Sequence, residues 1–569
     1  MNSLCAILEE AAAEVPDKPL FVFPESRWRS AESLSYRDLA SRCGAAARAI
    51  AEHANPGERA LLLFPTGVAF WEAFMGCLAA RVAAVPLSIP NLNRSNEHLQ
   101  EVCSDCTPSV LITNQKTADV LSRQADKHPN LSRLPVITPE RWRSEPCVFA
   151  FSKPNGDAIA LLQYTSGSTA RPKGVQVSHG NLLANLEMIR DRMGIRMFDD
   201  TGVTWLPHYH DMGLVGSYLA TLFTKNTSWC LQPEEFVLQP ERWLHLISEQ
   251  RASVCGGPDF GYQLCMKKLH EDQLLGIDLS SWRVAFIGSE RIRPETIQEF
   301  TEKFAPYGFR ESAFFPCYGL SEATLLVTGG PAEAFPVLRR ISSSALMENR
   351  IEPPTAAADC TCLVGCGRTF EGCRVVILEV GTHRMLADDQ IGEVFLSGPA
   401  VTAGYFYRDA LNEQVFRELQ IAGRPVRFLQ TGDLGFLSSG ELFITGRTKE
   451  IIIVRGRNLY PEDVEQRVCD AHEALAPGKA VAFSADLDGQ ESLIIAAELR
   501  RSAVRMDFPE TVAAAIRVRV VAGFGVNPAE ILLLRPASIP RTSSGKLKRM
   551  AVRDSYINGS IASVFRECT

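Results

Sequence analysis

A chain of 569 residues that is 46% apolar and 22% charged has the composition of an ordinary globular protein and a length that suggests several domains. Its net charge of −7, with no basic block, argues against a nucleic-acid binder. No apolar run approaches membrane-spanning length, and the opening MNSLCAILEEAAAEV is acidic where a secretory leader is basic and then apolar. No transmembrane segment and a cytoplasmic setting are therefore expected.

Along the chain, helical and strand-like patterns alternate first. Residues 60–64 (ALLLF) and 109–113 (SVLIT) predict buried strands. The apolar run 158–162 leads into 164–175 (YTSGSTARPKGV), a loop of small and hydroxylic residues that Arg171 and Lys173 make positive. Such a loop can bring backbone N–H groups to phosphate oxygens, although Gly-x4-Gly-Lys-[Ser/Thr] does not occur here. A short strand at 174–177 follows, then a helix at 181–192 with Leu182, Leu183, Leu186 and Ile189 on one face. Residues 253–256 and 284–287 predict further strands ending at Gly-rich turns. Strands alternating with helices imply parallel sheets covered on both sides, with ligands at the carboxyl ends of the strands.

From about residue 365 to 446 the texture is that of short strands at 375–379, 393–397 and 441–445, a small β-rich unit. After Arg447 it changes again. A strand at 451–454 precedes a helix starting near Pro461, with Glu462 and Asp463 in its first turn. A hairpin over 479–483 and 492–498, a helix over 509–521 and a strand over 531–534 complete a compact α+β domain. The boundary is expected at residues 447–449. Sixteen cysteines suggest reduced thiols rather than a disulfide framework. Cys103-x2-Cys106 and the group Cys360, Cys362, Cys366 and Cys373 lack the repeated spacing or the histidine of a zinc site, and are read as scattered thiols.

Alone, the polar loop would pass for surface. Four further motifs accompany it in order: 204–214 (TWLPHYHDMGL), 315–325 (FPCYGLSEATL), 428–465 (FLQTGDLGFLSSGELFITGRTKEIIIVRGRNLYPEDVE) and 540–549 (PRTSSGKLKR). This ordered set resembles the adenylate-forming superfamily of acyl-CoA synthetases, nonribosomal adenylation domains and luciferases. HDMGL, YGLSEATL and GRNLYPEDVE look most like its fatty acyl-AMP ligase branch. The resemblance implies an α/β fold. A large N-terminal domain (1–446) would hold two parallel-sheet αβαβα subdomains and a β-barrel-like subdomain. A small, mobile α+β C-terminal domain (447–569) would follow.

It also implies roles for residues. Thr165, Ser166, Gly167, Ser168, Thr169 and Lys173 would hold the phosphates of ATP, and Glu322 with Thr165 would hold Mg2+, a hard cation that needs few protein carboxylates. Tyr318 and Gly319 would border adenine together with Ser289 of the turn 288–291 (GSER). Asp433 would accept from the ribose hydroxyls, with Arg447 beside it. The family usually has arginine where Gln430 stands. Lys546 would be the catalytic lysine, an ammonium on a flexible stem able to reach both carboxylate and α-phosphate; a solvated basic tail is the plainer reading of KLKR. His210 and Asp211 would border the acyl pocket, with His210 near the reacting carboxylate. Gly257, Asp259 and Phe260 (in GGPDF) would line the acyl channel. His208-x-His210 also has the spacing of half a metal site, and no role is assigned to His208.

The activity implied is ATP-dependent conversion of a fatty acid to acyl-adenylate with release of pyrophosphate. Acyl transfer to the phosphopantetheine thiol of an acyl carrier protein or carrier domain follows. Lys449 would be the hinge for turning the small domain, and Gly456 would lie against the incoming pantetheine. The connection after Glu322 is long, and its extra material, about 331–362, matches an insertion held to disfavour CoA as acceptor. An acyl-CoA synthetase, an enzyme activating amino or aryl acids, and a catalytically silent nucleotide-binding scaffold are the competing readings. An amino-acid enzyme should place an acidic residue in the pocket to pair with the substrate ammonium; Asp211 and Asp259 are the candidates, but fatty-acid relatives carry acids in these segments too, so they do not decide it. A silent scaffold predicts loss of Lys546, Glu322 or Asp433, and all three are present.

Overall fold

The computed structural model describes residues 3–26, 30–90, 92, 96–143, 154–165, 172–454, 457–487, 490–504, 508–541 and 546–568. Apolar runs bounded by turns become strands buried on both faces, as parallel sheets require. One six-stranded sheet has the order Val136–Ile137, Val110–Thr113, Arg59–Leu63, Ala83–Leu87, Ile159–Thr165, Lys173–Ser178. Its first five strands run parallel. The last two form an antiparallel hairpin in which Thr165 pairs with Lys173. The strands on either side of the polar loop thus pair with each other, and a strand follows it.

A second sheet of eight strands runs Leu326–Gly329, Phe314–Gly319, Val284–Gly288, Val254–Pro258, Thr201–Thr204, Thr227–Cys230, Pro19–Phe23, Glu32–Ser35. The inner six are parallel and the two edges antiparallel. Helix His179–Arg192 connects the sheets. A reciprocal cap between Ser178 and Asn181 opens it, and Leu182, Leu186 and Ile189 are buried while Leu183 is half-buried.

The third, antiparallel sheet is built on the long strand Arg424–Ser438. This strand pairs with Gly392–Ser397, Phe416–Ile421 and Glu441–Arg447, and Arg374–Leu378 adds to Gly392–Ser397. Among the described residues no pairing joins its outer strands, so the barrel-like unit is an open sheet. Its longest strand escaped the pattern reading because Gly432, at φ +75°, and Gly435 interrupt the alternation.

Beyond it, Leu475–Leu487, Gln490–Leu499, Glu530–Leu534 and Phe565–Cys568 form a four-stranded sheet. Helices Pro461–Cys469 and Pro509–Phe524 bury Val464, Val468, Val512, Ile516 and Val520 in a core with one face of it.

The extra material after Glu322 is ordered structure, not a plain loop. Leu338–Ser342 and Cys360–Val364 pair as antiparallel strands, and helix Ser343–Met347 starts on the Ser342 side chain. Asp359 ties the unit together by accepting from Ser342 Oγ at 2.6 Å and the Ser344 amide at 2.8 Å.

Candidate active site

At the carboxyl ends of the parallel strands several polar side chains converge. Strand Phe314–Gly319 delivers Tyr318, and the long strand of the third sheet delivers Asp433 opposite Arg447. The Tyr318 hydroxyl donates to Asp433 Oδ2 at 2.5 Å, and Arg447 Nε donates to Oδ1 at 3.0 Å. Burial, then the Asp433 carboxylate, pushes the Tyr318 phenol well above its usual range. Gly319 is required by close approach, since a Cβ there would stand 1.9 Å from the Leu325 carbonyl oxygen. Gln430, where the resemblance expects arginine, turns to Glu393 Oε2 at 2.7 Å, away from this group.

Glu322 sits in the short turn Ser321–Ala323. Its Oε1 accepts from the Tyr405 hydroxyl at 2.6 Å, and the Lys173 ammonium stands over the Tyr405 ring at 5.4 Å. Burial raises the Glu322 carboxyl, with the Tyr405 hydrogen bond opposing. Burial, and then the charges of Lys449 and Arg408, lower Lys173, while Glu322 opposes. The site thus holds a carboxylate and an ammonium that are each undercompensated. That suits a hard cation beside Glu322 and an anionic ligand beside Lys173. Of Thr165 only the backbone is described. Ser166, Gly167, Ser168 and Thr169, with Arg171, lie outside the described residues, as does Gly456.

His210 precedes Asp211–Gly213, a turn that continues as π-helix through Leu214–Leu219 and then as Ala220–Phe223. A π segment inside a helix often marks a functional site. Asp211 Oδ1 lies 2.7 Å from His210 Nδ1 and accepts from the Met212 amide at 2.7 Å, while Oδ2 accepts from Ser321 Oγ at 2.5 Å. Burial alone would raise the Asp211 carboxyl, but His210, Ser321 and that amide hold it well below the usual range. Asp211 therefore locks the His210 segment to the turn bearing Glu322. His208, which shares its spacing, is buried against Phe70 at 4.0 Å and meets Thr66 Oγ1 at 3.2 Å. Burial drops it to about 3, so it is a neutral core residue. Among the described residues no group of three or more His, Cys, Asp or Glu side chains is placed to hold a metal.

On the far rim, Gly257 packs under Trp205, since a Cβ would meet the ring at 2.7 Å, and Phe260 meets the same ring edge-on at 5.6 Å. Asp259 is buried and its carboxylate is engaged: Gln263 Nε2 donates at 2.7 Å and the Arg293 amide at 3.2 Å. Burial, then Glu290, pushes it up to about 6. Glu290 in turn accepts the Phe260 amide at 2.8 Å.

Lys546 reaches this rim from the C-terminal part of the chain and donates to the Ser289 carbonyl. Ser289 is held at φ +68° by the turn, which aims that carbonyl. Burial lowers the Lys546 ammonium, and Glu290 opposes. In the same basic run Lys548 is exposed, whereas the Arg549 side chain is only 10% exposed and is paired with Glu450, Glu462 at 3.1 Å and Glu465 at 2.8 Å. Arg291 makes a further bridge to Asp463 at 2.5 Å.

Tyr405, Ser321, Glu290 and Arg291 were missed in sequence. Ser321 and Glu290 sat inside quoted motifs, while Tyr405 carried no signal beyond the aromatic run 405–407 (YFY). Lys449 is exposed between Arg447 and Glu450.

A family profile described as AMP-binding enzyme matches residues 8–406. Medium-chain-fatty-acid–[acyl-carrier-protein] ligase JamA of Moorena producens (strain JHB) is 35% identical over 98% of this chain and 96% of its own. Putative fatty-acid–CoA ligase FadD21 of Mycobacterium tuberculosis (strain ATCC 25618 / H37Rv) is 33% identical over 98% of each. A solved structure from studies of fatty acyl-adenylate ligases of E. coli and L. pneumophila superimposes with a TM-score of 0.88 at 33% identity, covering 98% of both chains. With these likenesses spanning nearly its whole length, the chain belongs to the AMP-binding enzymes, in their fatty acyl-AMP ligase branch.

Proposed function

We propose that this enzyme activates a fatty acid with ATP and hands the acyl group to a carrier-protein thiol. The fatty acid carboxylate attacks the α-phosphorus, an oxygen–phosphorus bond forms, and pyrophosphate leaves with the electron pair. One observation carries this reading: Tyr318, Asp433 and Arg447, the Glu322–Tyr405–Lys173 group, and Lys546 from far along the chain come within electrostatic reach of one another around one site. The reaction joins two anions, so a site that collects cations and hydrogen-bond donors lowers its barrier. In this reading Lys173 and the loop 165–169 take the outer phosphates, and Asp433 exchanges its Tyr318 bond for the ribose diol. Lys546 neutralises charge between carboxylate and phosphate, and His210 stands by the reacting carboxylate. Glu322 is the side chain suited to Mg2+, which would offset phosphate charge.

We divide the chain into an adenylation domain (1–446) and a mobile domain (447–569) turning at Lys449. The likeness to JamA supports a carrier protein as acceptor. So does the ordered insertion. Asn458 Nδ2 donates to the Met347 carbonyl at 3.2 Å, and the Tyr460 hydroxyl meets Asn349 Oδ1 at 3.4 Å. Ile341, Leu346, Leu363, Phe436, Phe443 and Tyr460 share one apolar cluster. Turning the small domain would have to break these contacts, a cost that a docking carrier protein, with its larger interface, offsets better than free CoA does. An amino-acid substrate is unsupported, because Asp211 and Asp259 are both engaged. A cytoplasmic setting agrees with the described helices, none of which is long and apolar enough to cross a membrane.

The test is mass spectrometry of the products formed from ATP, mixed fatty acids, CoA and a carrier protein together. Acyl-AMP and acylated carrier are expected; acyl-CoA formed as fast as acyl carrier would overturn the acceptor assignment.

A further inference from the structure

Tyr405 meets both charged residues of the phosphate side of the site. Its hydroxyl donates to Glu322 Oε1 at 2.6 Å, and its ring carries the Lys173 ammonium at 5.4 Å. The residue is buried. A carboxylate and an ammonium this near one another ordinarily pair. The Glu322 charge is felt at Lys173, yet among the described residues no ion pair or hydrogen bond joins the two. Tyr405 engages each of them instead.

The Tyr405 backbone is held from two sides, which fixes where its ring stands. Its amide donates to Asn412 Oδ1 at 2.7 Å, and Asn412 Nδ2 donates to its carbonyl at 2.9 Å. Asn412 belongs to helix Asp409–Val415. Gly404 makes room for this clasp, since a Cβ there would stand 2.6 Å from Asn412 Oδ1, and its φ is +138°. On the other side, the Gln176 amide donates to the Gly404 carbonyl at 2.9 Å and the Phe406 amide to the Gly174 carbonyl at 2.8 Å. These bonds lay 404–406 along strand Lys173–Ser178, with Val175 opposite Tyr405. Just upstream, the Thr402 amide donates to the Glu322 carbonyl at 2.9 Å. One short segment is thus bonded to the strand that begins at Lys173 and to the turn that holds Glu322.

We infer that Tyr405 is a positioning residue that keeps Glu322 and Lys173 from pairing, so that the carboxylate stays open to a divalent cation and the ammonium to phosphate. The inference rests on the adenylation reading above. Were the two paired, that pair would have to break before either took its ligand, and its strength would be subtracted from binding. A phenol avoids this. Its hydroxyl fills one acceptor site of the carboxylate and leaves the others. Its ring face attracts the ammonium without neutralising it. A hydrogen bond of this kind also orients a carboxylate that binds a metal.

The experiment measures the Kd of α,β-methylene ATP for the full chain by calorimetry, once with Mg2+ and once with EDTA. The ratio of the two values is the gain due to the cation. Tyr405→Phe keeps the ring and loses the hydroxyl. Its gain from Mg2+ should fall about tenfold, the cost of removing a residue that supports a metal ligand, while its Kd in EDTA stays within about twofold of wild type. Tyr405→Leu removes the ring as well and lets Glu322 reach Lys173. Its Kd in EDTA should weaken about fivefold, the strength of a partly exposed ion pair. Adding Glu322→Gln to Tyr405→Leu should restore that Kd, because Lys173 then has no carboxylate to meet. Melting temperatures establish that each variant folds, and the Phe arm decides alone if the Leu variants do not. A gain from Mg2+ unchanged in Tyr405→Phe would overturn the proposal, as would equal weakening of that variant in Mg2+ and in EDTA. So would a double variant that binds no better than Tyr405→Leu. Each of these leaves adenylation standing. A wild-type chain that binds the nucleotide in neither medium would overturn the adenylation reading itself.

Discussion

At the residue scale, Lys546 and Asp259 show how burial sets chemistry. In the proposed mechanism Lys546 works as a cation, and burial disfavours that form. Its charge is complete below its folded pKa and is lost as pH rises through it. The alkaline limb of adenylate formation should therefore fall at a lower pH than an ordinary lysine would give, and a pH–rate profile of pyrophosphate release checks this. Lys546→Ala should cut adenylate formation by at least ~100-fold, as loss of a charge-stabilising group at a transferring phosphoryl does. Transfer from separately supplied acyl-AMP to the carrier, followed in the same variant, should fall far less.

Asp259 is the opposite case. Its folded pKa of about 6 lies above the ordinary value, so the fold binds a proton that the unfolded chain releases. Stability is lost as pH rises from the unfolded pKa through 6, and above that the cost is full. Asp259→Asn should raise the melting temperature at pH 8 and do so less at pH 5, a difference on the order of 2 kcal/mol. The motif PDF identified an acid at this position; that Gln263 and Arg293 occupy it is a tertiary fact.

At the scale of elements, the insertion and the hairpin flanking residues 166–171 stand out. The insertion was visible as excess length after Glu322. Its strands were not, because 338–342 (LRRIS) and 360–364 (CTCLV) lack clean alternation and stabilise each other only as a pair. Leu346 is buried where this unit meets Tyr460. Leu346→Ala should cost about 2–4 kcal/mol locally, by the usual penalty for a truncated core leucine. Looser docking should then raise acyl-CoA formation relative to acyl-carrier formation, measured by competition in one vessel. Ile159–Thr165 and Lys173–Ser178 pair on either side of the polar loop. The Tyr164 hydroxyl donates to Asp105 at 2.6 Å, and Gly174 lets the Tyr164 ring lie flat against the partner strand.

Across the whole molecule, the Arg291–Asp463 bridge and the Lys546 bond to the Ser289 carbonyl join the C-terminal part to the N-terminal one, while Arg549 gathers three glutamates within the C-terminal part itself. Buried pairs of this sort are costly to break from one side. Arg549→Met should lower the melting temperature by leaving Glu450, Glu462 and Glu465 unpaired. A non-hydrolysable acyl-adenylate analogue should raise the melting temperature of the wild-type enzyme, by about 2.7 kcal/mol at a hundred times its Kd. The same analogue should stabilise Lys546→Ala less.

The order of motifs along the chain by itself determined the family, the alternating α/β plan and the residues proposed to face the nucleotide. Phosphate and carboxylate chemistry demands particular side chains, and these are written locally. Only the tertiary structure decided what those side chains are tied to. Tyr405 braces Glu322, and Ser321 locks Asp211. These partners lie 83 and 110 positions apart. No local pattern encodes such a meeting, because the packing of sheets and helices sets the distance between them.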